Sequence, residues 1–102
     1  MKRVLVRYKV KADKADENVK LVKAVYQELA AKKPEGLRYS TFCAEDGLTF
    51  FHLASIETDD DSNPLGATDA FKAFQANIKD RCDEPPAPVP LTTIGTYRFF
   101  DA

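Results

Sequence analysis

The chain has 102 residues and a mass of 11.4 kDa, with 15 Lys and Arg against 16 Asp and Glu. That length predicts one domain over residues 1–102, and a 44% hydrophobic, 30% charged composition predicts a soluble globular chain, not a disordered one. A formal net charge of −1 argues against nucleic acid or an anionic membrane surface as a partner, since both demand clustered positive charge.

No apolar run approaches the roughly 18 residues that span a bilayer. Met1 to Arg7 carries charges inside its apolar stretch and has no cleavage pattern, so no secretory leader is expected. Cys43 and Cys82 are the two cysteines, and His52 is the one histidine. They are too few for a disulfide framework or a zinc site, and they predict reduced thiols in a cytoplasmic protein.

Taken in chain order, Lys2 to Val10 reads as a strand, because Val4, Val6, Tyr8 and Val10 alternate with Arg3, Leu5, Arg7 and Lys9. A helix is expected over about Lys14 to Lys32, where Val19, Val22, Val25, Tyr26 and Leu29 form one stripe. Asp13 or Asp16 can cap its start, and Pro34 and Gly36 stop it. A hairpin follows, with strands at about Leu37 to Ala44 and Leu48 to Glu57 around the Asp46-Gly47 turn. The second of these has large apolar groups on both alternating sets, which predicts a central strand.

An acidic loop over residues 58–64 leads to a second helix, expected at about Ala67 to Arg81, with Phe71, Phe74 and Ile78 as its stripe and Thr68 or Asn63 as its start. Four prolines between Pro85 and Pro90 exclude helix and central strand, so this segment reads as an extended surface connector. The fourth strand is then expected at about Leu91 to Phe100, with Gly95 marking a bulge.

The order β-α-β-β-α-β predicts an α+β, ferredoxin-like architecture: a four-stranded antiparallel sheet with both helices on one face. The helices carry only two apolar stripes, so the other sheet face keeps exposed Phe and Ile groups. A monomer rarely tolerates such a patch, and a second copy packed sheet to sheet would cover it. A homodimer is therefore expected, its sheets enclosing a partly apolar space.

The valine-rich run from Val4 to Lys11, the long helix and the Pro34-Glu35-Gly36-Leu37-Arg38-Tyr39 stretch resemble the dimeric α/β-barrel superfamily. The resemblance is closer to its antibiotic-biosynthesis-monooxygenase-like domains, and Phe71-Lys72-Ala73-Phe74 resembles their second helix. The resemblance implies this fold, dimerisation and a cofactor-free, monooxygenase-like oxidoreductase chemistry. Those relatives use a Trp and Asn set, or a His in the second helical region to ligate haem. This chain has no Trp, and His52 lies on the third strand, so no catalytic position carries over.

The residues themselves offer three candidates for ligand binding. His52 is the side chain that titrates nearest neutral pH, and it would serve as a base or hydrogen-bond donor if it faced the dimer space. Arg7 and Arg98 read as mid-strand charges on neighbouring strands, where paired guanidinium groups suit a carboxylate or enolate. Tyr8, Tyr39 and Tyr97 carry hydroxyls able to join them, though packing alone accounts for strand tyrosines. Asp59-Asp60-Asp61 lacks the spacing of a calcium loop and reads as solvated, and no glycine or serine pattern marks a phosphate or nucleophile site. No metal or organic cofactor is expected. The functional expectation is an apolar pocket for a small organic ligand, with a non-catalytic dimerisation or ligand-binding role as the alternative.

Overall fold

The computed structural model describes residues 1–99. β1 (Lys2–Val10) leads through a 3-10 turn (Ala12–Lys14) into α1 (Ala15–Lys32). β2 (Leu37–Cys43) and β3 (Thr49–Ile56) form the hairpin, and a second 3-10 turn (Pro64–Ala67) precedes α2 (Asp69–Gln75), α3 (Ile78–Arg81) and β4 (Cys82–Leu91). The four strands make one sheet in the order β2-β3-β1-β4, each neighbouring pair antiparallel. This is the ferredoxin-like arrangement that the element order predicts, with β1 and β3 central.

Strand parity sorts the side chains into two faces. One face carries Val4, Val6, Tyr8, Val10, Phe50 and His52, and it packs against Val22 and Val25 of α1 and Phe74 of α2. The opposite face carries Leu5, Arg7, Phe51 and Leu53. Two turns fix this pairing. Asp46 accepts from the amides of Leu48 and Thr49 at 2.8 Å each and from the Thr49 hydroxyl at 2.7 Å, which closes the hairpin with Gly47 at φ +71°.

Gly36 has φ +79°, and a Cβ there would lie 2.6 Å from Thr58 Cγ2 and 3.2 Å from the Thr58 amide nitrogen. Both the left-handed backbone and the contact exclude a side chain. Gly36→Ala is expected to cost about 1–3 kcal/mol in chemical denaturation; an unchanged midpoint would contradict this account of the α1–β2 junction.

The fourth strand corrects the sequence reading. It is formed by the prolines themselves, ends at Leu91, and leaves residues 92–99 outside any strand. Phe100 lies outside the described residues, and Gly95 marks no bulge in a strand. The reason is edge placement. β4 has β1 as its one neighbour, with Val6 opposite Pro88 and Val4 opposite Pro90. Successive amides point to alternate sides of a strand. Pro86, Pro88 and Pro90 therefore share a parity, with their missing donors on the free edge, while Ala87, Val89 and Leu91 keep donors for β1. Between Arg7↔Ala87 and Lys9↔Glu84 the strand gains one residue, a bulge at Pro85–Pro86.

Such an edge offers few donors to a foreign strand. Pro88→Thr with Pro90→Thr is expected to increase association under light scattering; unchanged scattering at high concentration would count against this role.

The second helix is also corrected, from one element to two. Ala76 is extended and Asn77 takes φ 60°, a left-handed backbone that asparagine tolerates well. The two candidate start residues each cap a different element. Asn63 Oδ1 accepts from Leu65 N at 3.0 Å, and Thr68 Oγ1 accepts from Phe71 N at 3.2 Å. Glu28 of α1 adds its carboxylate to the α2 start, accepting from Ala70 N at 2.8 Å and Asp69 N at 3.2 Å.

Candidate functional site

The inward face of the sheet and the short helices leave a cavity of about 440 Å³ between them. It lies within one chain, beneath α2 and α3. Val4, Val6, Ala54 and Ile56 form its floor, and Leu65, Phe71, Phe74 and Ile78 form its roof. Tyr8, Tyr39 and His52 make one polar end. Lys79 is the one charged side chain lining it among the described residues. Mostly apolar walls with a few convergent polar groups, at this volume, are the usual build of a small-molecule site.

The polar end follows from register. His52 on β3 stands between Val6 of β1 and Thr41 of β2. Tyr8 and Tyr39 are each two residues along those flanking strands, so they share its face and reach it diagonally. The Tyr8 hydroxyl lies 2.7 Å from His52 Nε2. The Tyr39 hydroxyl bonds His52 Nδ1 on the other side, with the Thr41 hydroxyl 3.3 Å from the same nitrogen. Asn18 of α1 donates through Nδ2 to the Tyr8 hydroxyl at 2.9 Å, and Tyr26 bonds Thr41 at 2.7 Å. A chain of hydrogen bonds thus runs from Asn18 through the imidazole to Tyr26.

Burial sets the charge state of this chain. It holds His52 down to about 4, so the imidazole is neutral at pH 7. It raises the Tyr8, Tyr39 and Tyr26 hydroxyls above the usual tyrosine range, so these stay protonated. The arrangement can therefore exchange hydrogen bonds with a neutral or weakly acidic ligand. It holds no buried carboxylate to pair with a cation.

Of the three sequence candidates, His52 lines the cavity, while Arg7 and Arg98 stand elsewhere. Arg7 is on the outward face, bridged to Glu84 at 3.0 Å. Arg98 is not on a strand at all; it follows β4, with its guanidinium 5.3 Å over the Tyr97 ring. Neither arginine lines the cavity with His52, and Tyr97, which also follows β4, does not line it either.

Sequence reasoning passed over Asn18, Tyr26 and Thr41. Asn18 had a legible signal, since it falls four residues before Val22 on the buried stripe of α1, and a polar residue there is 0% exposed.

No family model matches the chain, and no curated protein matches it. Solved structures do share its fold. An antibiotic biosynthesis monooxygenase superposes with a TM-score of 0.75 at 16% identity, covering 93% of this chain and 100% of the other. Rv0793 from Mycobacterium tuberculosis gives 0.74 at 16% identity, covering 93% and 96%. SnoaB, a cofactor-independent oxygenase from Streptomyces nogalater, gives 0.69 at 13% identity, covering 95% and 96%. The chain thus has the fold that its sequence resemblance implies.

Proposed function

We propose that the protein binds a small, flat organic molecule in the cavity beneath α2 and α3, and acts on it by oxygenase-type chemistry without metal or organic cofactor. The observation that carries this reading is the cavity itself: apolar walls closed at one end by a neutral tyrosine–histidine–tyrosine set. An aromatic or polyketide-like ring suits those walls, and its oxygen substituents suit the hydroxyls. In such chemistry the ligand must supply electrons to O₂ itself, so the chain's part is to orient it, exclude water and stabilise charge on its oxygen. Likeness of fold to a cofactor-independent oxygenase supports the reaction class.

The second reading is binding without turnover. It is favoured by the internal pairing of the polar end, where both imidazole nitrogens already have partners. Melting curves against quinols, haem and aromatic acids test the first part, because anything that binds only the folded state raises the midpoint. Oxygen uptake with the compounds that bind, in chelator-treated buffer, tests the second. Binding with uptake supports catalysis; binding without uptake leaves the accessory role; no shift across the panel contradicts the pocket.

A homodimer completes this proposal. The outward face presents Leu5, Phe51 and Leu53 half-buried and Phe42, Val89 and Leu91 exposed. Beyond β4, Ile94 is 95% exposed and Tyr97 81% exposed, too much apolar surface for an unpartnered chain to leave in water. A two-fold pair of sheets would cover both. Light scattering is expected to give twice 11.4 kDa, and Leu53→Lys to shift it towards monomer; a wild-type monomer at all concentrations would remove the dimer.

A further inference from the structure

The hydrogen-bond chain at the polar end has a direction, and that direction names the ligand chemistry. Tyr8 is 1% exposed, and its hydroxyl touches two partners, Asn18 Nδ2 and His52 Nε2. An amide nitrogen only donates. The Tyr8 oxygen therefore accepts from Asn18, and its single hydrogen has one acceptor within reach, the bare Nε2 of His52. With the Asn18 amide turned so that Nδ2 meets Tyr8, which leaves Asn18 Oδ1 without a partner, a proton on Nε2 would strand the Tyr8 hydrogen in the core beside two donors. A neutral imidazole carries one N–H. It is then on Nδ1, and it is donated to the Tyr39 hydroxyl, with Thr41 beside it.

Each link fixes the next. Tyr39 receives a hydrogen bond from the imidazole, so its own hydrogen is not used on His52. That hydrogen is left to turn between Thr41 and the cavity that Tyr39 lines. We infer that Asn18 and Tyr8 are positioning residues that lock His52 as the Nδ1–H tautomer, and that Tyr39 is thereby the cavity's hydrogen-bond donor, selecting ring ligands that present a carbonyl or enolate oxygen. The apolar floor and roof take the ring, and the neutral pole takes the oxygen without needing a counter-charge. In the opposite tautomer Tyr39 would spend its hydrogen on Nδ1 and offer the cavity only lone pairs, so a carbonyl would gain nothing there. This inference rests on the ligand-binding reading above for its second half and is independent of it for its first.

Two measurements separate the halves. His52 is the one histidine of the chain, so a long-range ¹H–¹⁵N spectrum of labelled wild-type protein at pH 7 reads its tautomer without assignment. A protonated Nδ1 and a bare Nε2 are expected; the reverse pattern overturns the tautomer and with it the role of Asn18. Binding of 1-tetralone is then compared with binding of its hydrocarbon counterpart tetralin, followed by amide shifts. The ketone is expected to bind about five- to tenfold tighter, the gain of one well-placed hydrogen bond. Tyr39→Phe should erase that preference while tetralin binding stays. Equal binding of the two compounds to wild type overturns the donor assignment but leaves the cavity as a binding site. Failure of both compounds to bind overturns the pocket reading, and the tautomer spectrum still stands or falls alone.

Discussion

Lowering the pH from 6.5 to 4 is expected to remove about 3 kcal/mol of stability from the wild-type protein, and much less from His52→Gln. The folded pKa of His52 lies near 4, below the ordinary value of 6.5, because the imidazole is 5% exposed and faces tyrosine hydroxyls with no carboxylate among its partners. Between those two values the unfolded chain binds a proton that the folded chain refuses. The unfolded state then binds more protons, so stability falls as the pH falls, and the loss is complete once the folded imidazole also titrates.

The carboxylates act lower down. Asp46, held near 2 by its bonds to Thr49 and Leu48, and Glu28 and Glu57, held below the usual 4.5 by hydrogen bonds to Lys32 and Ser55, lose their contributions as the pH falls through their own lowered values. The slope above about pH 5.5, a full unit over the ordinary glutamate value, therefore reports His52. Denaturant midpoints at half-unit pH intervals measure it. A wild-type curve as flat as that of His52→Gln would mean that the imidazole is hydrated or already charged.

Arg81→Met is expected to cost about 2–4 kcal/mol and to loosen the cavity roof, although it removes no salt bridge. Arg81 is 4% exposed, and its guanidinium donates to the carbonyls of Phe74 at 2.5 Å and Ala76 at 2.9 Å. Those carbonyls lie where α2 ends and Asn77 turns the chain into α3. The planar fork ties this break together and lies 5.4 Å over the Phe74 ring, which is itself part of the roof. Methionine keeps much of the volume and leaves both carbonyls without that donor. Arg81→Lys should recover only part of the loss, since one ammonium does not reproduce the fork. Thermal melts of the three proteins decide it; a methionine variant as stable as wild type would mean that the break is held by backbone geometry alone.

The sequence revealed the sheet far better than the site. Val4, Val6, Tyr8 and Val10 alternate cleanly, the α1 stripe has helical spacing, and Asp46-Gly47 marks a hairpin, so local chemistry and global fold agree there. The Pro85–Pro90 run misled because proline opposes strand pairing in general, and only edge placement with alternating parity reconciles the two. Nothing local announces that edge; it depends on where β1 ends up. The break at Asn77 was hidden for a related reason, since Phe71, Phe74 and Ile78 keep helical spacing across it while Arg81 satisfies the interrupted carbonyls from the far side.

At the site, His52 and both tyrosines were visible as residues, but their meeting depends on cross-strand register. The one-residue parity that joins Tyr8 and Tyr39 to His52 sends Arg7 to the other face.

The central claim is that the cavity beneath α2 and α3 takes a ring-shaped organic ligand. The chain contains no Trp, so the fluorescence of 1-naphthol can be followed without an indole background. Titration of wild type is expected to saturate at one naphthol per chain. Ala54→Phe and Val4→Phe, which fill the floor of the cavity, should abolish saturation while far-ultraviolet circular dichroism stays unchanged. A non-saturating titration, or saturation that survives in both folded variants, would contradict the claim.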